Sequence, residues 1–216
     1  MKIKKISALL ATVVLTVALA GCTTANRTKL PEGDVKVVNQ EIQGVVELLL
    51  EASNYGNDKS TVASMVLPQD SEYNINLVME KYANGELVET KEIANYATQT
   101  IKKDSIIHII LNTAKLNDGE ADKSIFSIAE IDSENTKDNN NPEYMITKYY
   151  DEAIDFDSKS AVAQIGKALD EEVSLIGLVK FKEDDSEKTS INLDSYKDEV
   201  GKYSEVTIIN AKASKK

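Results

Sequence analysis

The chain almost lacks several residue types, and each shortage argues against a class of function. Its 216 residues include one cysteine, one histidine and no tryptophan. A single cysteine cannot form a disulfide within the chain, and zinc sites usually need several cysteine or histidine ligands. The absence of tryptophan counts against an aromatic platform for sugar rings, although nine tyrosines remain. The composition therefore predicts no metal and no cofactor, and a fold that depends on a hydrophobic core.

Arginine is also scarce, since Arg27 is the only arginine among 25 basic residues. Its planar guanidinium is the side chain best suited to a bidentate grip on phosphate or carboxylate. The 36 acidic residues give the chain a net charge of −11. An acidic surface repels nucleic acid and anionic lipid headgroups. The sequence therefore predicts no nucleic-acid partner.

The chain also has no hydrophobic run long enough to cross a membrane as a helix. Its longest apolar stretch lies at the amino end. A helix that crosses a bilayer needs about 20 apolar residues. Residues 6–20 are apolar or small and fall short of that length. Three lysines precede this stretch within the first five residues, and small residues follow it. A basic head, a short apolar core and small residues at a cleavage site are typical of a secretory signal peptide.

The end of this segment carries a further feature. Leu19, Ala20, Gly21 and Cys22 resemble the lipobox of bacterial lipoproteins, and the resemblance covers the first 22 residues alone. It implies a signal peptide over 1–21, a diacylglyceryl group on the Cys22 sulfur, and acylation of the new amino group. Two or three acyl chains hold a protein stably at a membrane. The resemblance thus implies a lipid anchor at the cell membrane, on its extracytoplasmic side.

The alternative is an ordinary secretory signal followed by an unused thiol. In either case removal of the signal takes away three lysines, leaving 22 basic residues against 36 acidic ones and a net charge of −14. Residues 22–33 have few apolar side chains and include Pro31 and Gly33, which predicts a flexible tether. Residues 34–216 are expected to form a single extracytoplasmic domain around one core.

The start of that domain predicts an amino-terminal helix over residues 34–56. Val35, Val38 and Ile42 follow one another at spacings of three and four residues, and further apolar residues continue the pattern. Asp34 is placed to cap the start and Gly56 to close the end. The valines would also suit strands.

Beyond Pro68 the pattern changes to alternation, which predicts strands. Asn84 and Gly85 separate two such strands, and Asn-Gly is the strongest short-range signal for a hairpin. The register stays open at this point. A two-residue turn would set Glu80 opposite Glu89, whereas a three-residue loop with a Gly85 bulge would not.

The rest of the chain adds more strands and two short helices. Strands are expected at 105–114, 123–131, 143–150, 173–181 and 204–211. A short helix is predicted within 160–169, capped by Ser158 or Ser160, and another begins at Ser195, which stands in capping-box spacing with Asp198. Residues 106–111 and 173–179 are apolar at nearly every position, so both faces of those strands should be covered. The predicted fold is mainly β: an antiparallel β-sandwich-like domain with an amino-terminal helix and one or two short helices.

The single histidine argues against an enzyme. His108 lies in a run of isoleucines, and no serine or cysteine is marked as its nucleophile. Nucleophilic catalysis needs a nucleophile, a base and an orienting group within reach of one another. We therefore predict no catalytic residues, and a structural His108 that is bonded to a backbone carbonyl.

Two acidic segments are the remaining candidates for chemistry. One holds Asp151, Glu152, Asp155 and Asp157, and the other spans residues 132–141. Neither has the spacing of an EF-hand loop, so each is predicted to be a solvated loop, with Asp157 near a helix start. A carboxylate pair that acts as glycosidase acid and base stays open, because the distance that matters is spatial.

These observations favour a membrane-anchored binding or accessory module of the cell envelope that is not an enzyme. Its expected partners are the membrane, through the lipid on Cys22, and an envelope protein or other envelope component. A lipid-anchored hydrolase that uses a carboxylate pair is the alternative. A small solute-binding lipoprotein is the third hypothesis, although solute receptors usually have two lobes around a cleft and this chain is short for that.

Overall fold

Antiparallel strands make up most of the chain that the computed structural model describes. The described residues are 30–44, 47–48, 60–103, 105–114, 123–132, 144–150, 154–183 and 188–216. In chain order their strands are β1 (Val35–Gln40), β2 (Ser60–Val66), β3 (Tyr73–Ala83), β4 (Glu86–Ala97), β5 (Ser105–Ala114), β6 (Lys123–Asp132), β7 (Tyr144–Tyr150), β8 (Ser158–Ala161), β9 (Gln164–Lys167), β10 (Glu172–Lys180) and β11 (Glu205–Lys215). One helix, α1 (Tyr196–Glu199), is followed by a 3-10 turn at Val200–Lys202.

The strands form two sheets that pack face to face. The first sheet has the order β7-β6-β5-β2-β1-β9, and the second has the order β4-β3-β11-β10-β8. All neighbours are antiparallel. The main core lies between them and takes side chains from both, such as Met65 and Ile107 from the first sheet and Leu77 and Leu175 from the second. The predicted mainly β, sandwich-like architecture is confirmed.

The predicted amino-terminal helix is wrong over residues 35–40. Residues 35–40 form β1, which bonds to β2 on one side and to β9 on the other. Val35 and Val37 are buried in the core while Lys36 and Val38 are half-buried, which is the two-residue period of a strand. Strand pairing on both edges therefore overrides the helical spacing of the β-branched valines. Residues 47–48 are helical, and residues 45–46 and 49–59 lie outside the described part.

The short helix predicted within 160–169 is also wrong. The segment divides into β8, which pairs with β10 in the second sheet, and β9, which pairs with β1 in the first. Each part therefore satisfies its backbone groups through a different sheet. Gly166 on β9 meets the Glu32 carbonyl so closely that any Cβ would overlap it, and Asp34 N–H donates to the Lys167 carbonyl at 2.9 Å.

The β3–β4 hairpin is confirmed, and its register is now fixed. Asn84 and Gly85 have φ values of +50° and +90°, and they form a two-residue turn between Ala83 and Glu86. An irregularity between Lys81 and Tyr82 shifts the pairing by one residue, so Glu89 stands opposite Lys81 and not opposite Glu80. The Lys81 Nζ lies 3.3 Å from the Glu89 Oε2. The bulge thus gives an ion pair in place of the like-charge pair that a regular two-residue turn would have set.

The two continuously apolar strands behave differently. Residues 175–179 of β10 are buried on both faces, as predicted. On β5, Ile107, Ile109 and Leu111 are buried, but Ile106 and Ile110 on the other face are half-buried. Full burial of both faces is therefore confirmed for β10 and wrong for β5.

Residues 188–203 cover the outer face of the second sheet, and we call them the cover segment. Ile191, Tyr196 and Tyr203 pack there against Val179 and Ile208 in a second buried cluster. A helix does lie on a sheet face, but it is the carboxy-terminal α1. Ser195 precedes α1 without capping it: its Oγ donates to Glu199 Oε1 at 3.0 Å, so the predicted capping box is not formed.

Candidate ligand-binding cavity

The predicted lipidation site lies outside the described residues. Leu19, Ala20, Gly21 and Cys22 all precede residue 30, where the described chain begins. Lipid attachment at Cys22 therefore stays a prediction. In the described part, no helix has the length and apolarity needed to cross a membrane.

His108 is bonded to a serine, not to the backbone carbonyl that the sequence led us to expect. It stands opposite Ser64 of β2 in the ladder, and its Nδ1 lies 2.9 Å from the Ser64 Oγ. Burial lowers the pKa of His108 below its ordinary value of 6.5, so the imidazole is neutral at neutral pH. A serine nucleophile would also need an orienting group for the imidazole and a cleft for its substrate. Neither residue lines either of the cavities described below.

The described acidic side chains of the first acidic segment serve local structure. The Asp155 Oδ2 lies 3.3 Å from the Lys180 Nζ, and the Asp157 Oδ2 accepts the Phe181 N–H at 2.8 Å. Asp157 therefore caps the end of β10; the helix start that we predicted beside it is absent, because β8 occupies residues 158–161. Asp151 and Glu152, residues 133–141 and the side chain of Asp132 are outside what the structure describes. Among the described residues, no group of three His, Cys, Asp or Glu side chains is placed to hold a metal ion.

A polar cluster of Glu80, Tyr82 and Tyr196 bonds the cover segment to β3, and the sequence did not indicate it. The hydroxyls of Tyr82 and Tyr196 both donate to Glu80 Oε2, each at 2.8 Å, and the two rings meet edge to face at 6.2 Å. Burial is the main cause that raises the pKa of Tyr82, and the hydrogen bond to Glu80 is the next. The same two causes raise the pKa of Tyr196 to about 12. Both phenols therefore stay protonated as donors, and the cluster is a structural clamp.

A buried carboxylate links the two sheets in a similar way. Glu130 of β6 is only 3% exposed. Its Oε2 accepts the hydroxyl of Tyr96 from β4 at 2.9 Å and the N–H of Gln99 at 3.2 Å. These bonds offset the cost of burying the carboxylate, so Glu130 is explained as a structural residue.

A cavity of about 650 Å³ lies at one end of the sandwich. It lies where the ends of β1 and β2 in the first sheet face β8 in the second, so both sheets contribute to its wall. Its volume falls within the range of roughly 300–1,000 Å³ that is usual for small-molecule sites. The described residues that line it are Asn39, Gln40, Glu41, Ile42, Gln43, Gly44, Glu47, Ser60, Thr61, Lys159 and Ala161.

The inner wall of this cavity is polar. Alternation along β1 puts Asn39 on the same face as Val35 and Val37, and Thr61 shares a face with Ala63, so both are turned toward the sandwich interior. The interior beyond these two residues is lined by hydrophobic side chains. Asn39 and Thr61 therefore lie at the boundary between the apolar core and the cavity. Ser60 is also buried, and its carbonyl accepts a hydrogen bond from the Lys159 Nζ at 2.8 Å.

Two oxygens in this wall are buried without a partner. Within the described part of the chain, Asn39 Oδ1 and Thr61 Oγ1 make no hydrogen bond, and Thr61 is only 4% exposed. A buried polar group without a partner costs about 1–3 kcal/mol, and such groups call for an explanation. Two of them in the wall of one cavity give it unused hydrogen-bonding capacity for a ligand.

The sequence did not reveal this site for a physical reason. Residues 39–44 fell within the predicted helix, where their polar side chains would have formed a solvent-exposed face. Lys159 is about one hundred positions from Ser60 in the chain, and only the pairing of β1 with β2 and of β8 with β10 brings these groups together. A polar stretch directly after a β-branched strand is the one local signal that was present.

A smaller cavity of about 290 Å³ lies beside the cover segment. Its wall combines Lys167 and Lys197 with Glu172, Asp194 and Asp198, so its charges are mixed. None of these side chains is buried. This cavity therefore lacks the buried, unsatisfied groups that distinguish the larger one.

Comparison with known proteins gives no relative from which a role could be inferred. No protein-family model, no curated protein and no solved structure matches this chain. The cavity and the sequence of the amino end are therefore the features that bear on function.

Proposed function

We propose that this protein is a lipid-anchored, extracytoplasmic binding module that holds a small polar ligand in the cavity at the end of its sandwich and does not transform it. One observation carries the proposal: Asn39 Oδ1 and Thr61 Oγ1 are buried in the wall of a 650 Å³ cavity without partners among the described residues. Of the two binding hypotheses drawn from the sequence, this favours the small-solute one over a flat protein-binding surface.

The anchoring part of the proposal is supported by the amino-terminal sequence. A basic head, a short apolar core and Leu19-Ala20-Gly21-Cys22 stand in the order that lipid modification requires. A tethered module of net charge −14 would keep its acidic domain in solution above the membrane. The cavity lies in that domain, so a ligand would reach it on the extracytoplasmic side of the membrane.

The hydrolase alternative receives no support from the described side chains. Asp155 and Asp157 are engaged by Lys180 and by the Phe181 N–H, and Glu130 is closed within the core. Glu41 and Glu47 do line the cavity, but Glu41 is exposed at its outer edge and accepts from the Gln43 side chain at 2.6 Å. No observation in the described part favours a paired acid and base.

The proposal is tested by locating a binding site on the full chain purified in mild detergent. Amide resonances in a ¹⁵N-labelled sample are followed while sucrose, myo-inositol, glycine, spermidine or inorganic phosphate is added. We expect at least one probe to shift the amides of residues 39–44, 60–61 and 159–161 in a saturable manner. If no probe perturbs these amides, or if perturbations cluster elsewhere, the cavity is not the binding site.

A further inference from the structure

We infer that the ligand of the cavity is a neutral, hydroxyl-rich molecule of the polyol or saccharide class; this inference rests on the proposed function. The inner wall and the outer edge of the cavity differ in chemistry. Asn39, Ser60 and Thr61 form a neutral inner wall, of which Ser60 and Thr61 are buried. Gln40, Glu41, Gln43 and Gly44 are exposed at the outer edge. The deepest part of a ligand therefore meets amide and hydroxyl groups, beside a Lys159 ammonium that is bonded to the Ser60 carbonyl.

The charges around the inner wall disfavour an ionic ligand of either sign. The Lys159 ammonium is fixed beside Ser60 by its 2.8 Å hydrogen bond to that carbonyl. A cationic group placed against the inner wall would be repelled by Lys159 at short range, where screening by water is weak. An anion would meet the exposed Glu41 carboxylate at the outer edge, and the described lining contains no arginine to grip it. A neutral ligand avoids both penalties.

The unpartnered atoms match the hydrogen-bonding capacity of hydroxyl groups. Asn39 Oδ1 can only accept a hydrogen bond, whereas Thr61 Oγ1 can both donate and accept. A ligand hydroxyl can donate to the amide oxygen, and the same or a neighbouring hydroxyl can accept from the threonine. The described lining has no aromatic residue, and Ile42 and Ala161 are its apolar members. The described lining therefore offers a ligand mainly hydrogen bonds, which suits a polyol or saccharide better than a lipid.

The test compares ligand classes and one matched pair of variants. Thr61→Val keeps the shape of the side chain and removes the hydroxyl. Ser124→Ala is the control, because Ser124 Oγ is also buried without a partner among the described residues but lies outside the cavity lining. Sucrose and myo-inositol represent the proposed class, with glycine, spermidine and inorganic phosphate as charged competitors. Binding is measured by titration of the amides of residues 39–44, 60–61 and 159–161, because sugars also stabilise proteins without binding to them.

We expect sucrose or myo-inositol to bind at these amides, Thr61→Val to weaken that binding at least tenfold, and Ser124→Ala to leave it unchanged. Binding of glycine, spermidine or phosphate at the same amides without binding of either polyol would overturn the inference and leave the proposed function intact. Polyol binding that Thr61→Val does not weaken would also overturn it. If none of the five probes binds there, both the inference and the proposed function fail.

Discussion

Ser64 and His108 face each other across β2 and β5, and the serine Oγ lies 2.9 Å from the histidine Nδ1. The pair looks like part of a catalytic dyad, but it lies on a sheet face outside both described cavities. Its measurable consequence is therefore in stability. The hydrogen bond joins two central strands of the first sheet, and the neutral imidazole is the form that burial favours.

His108 should make the folded state less stable in weak acid. Burial lowers its pKa below 6.5, so the unfolded chain binds a proton more readily than the folded chain. Stability therefore falls as pH drops through 6.5 toward the lower pKa of the folded state. Urea unfolding across that window should show a steeper loss for the wild type than for His108→Gln. Equal slopes would mean that the histidine is not desolvated in solution.

The clamp on the cover segment should depend on the charge of Glu80. Two phenols donate to one of its oxygens, and hydrogen bonds to a charged acceptor are about twice as strong as neutral ones. Glu80→Gln should lower the free energy of unfolding by about 1 kcal/mol. Glu89→Gln is the control, since it weakens a partly exposed ion pair with Lys81 and should cost about 0.5 kcal/mol or less. Equal losses from the two variants in chemical denaturation would argue against the clamp.

Gly177 should be required for the cover segment to lie close to β10. A Cβ at this position would stand 2.7 Å from Ile191 Cγ2 and 2.9 Å from Leu193 Cδ2. Gly177→Ala is therefore expected to cost about 1–3 kcal/mol through overpacking. At Gly201 a Cβ would meet nothing within 4 Å, so Gly201→Ala should change stability by about 0.5 kcal/mol or less. Thermal melts that rank the two variants in the opposite order would contradict the packing described here.

Replacement of Cys22 should abolish anchoring. Cys22→Ala removes the sulfur to which the proposed diacylglyceryl group is attached, so the chain should be left uncut or released from the membrane. Cell fractionation and labelling with a fatty-acid analogue measure this directly. Thr24→Ala, two residues further on, should be retained and labelled like the wild type. Undiminished labelling of Cys22→Ala would exclude the lipid anchor.

The sequence allowed prediction of elements whose signal is local. Asn84-Gly85 between alternating strands led to the β3–β4 hairpin, and the apolar run of β10 led to its burial on both faces. The helix predicted at Val35 failed because strands distant in the chain pair with β1 on both edges. The spacing of residues along one segment does not indicate which distant strands will pair with it. The β-branched valines at helical spacing are also favourable in a strand.

The candidate site was beyond sequence analysis for the same reason. Nothing in the sequence distinguishes Asn39, Thr61 and Lys159 from other polar residues. They come together only where β1 and β2 of the first sheet meet β8 of the second. The absence of a hydrogen-bond partner, which distinguishes Asn39 and Thr61, is a property of the folded arrangement alone. The clamp at Glu80 likewise depends on Tyr196, which is more than one hundred residues away in the chain.

The most direct test of the central claim is the stability of Thr61→Val without any ligand. If Thr61 Oγ1 is buried without a partner, removing it relieves a desolvation cost. We then expect the free energy of unfolding, measured in urea, to rise by about 1 kcal/mol. A fall of about 1 kcal/mol would show that the hydroxyl already has a partner within the folded chain, and the cavity would lose the feature on which its assignment as a binding site depends.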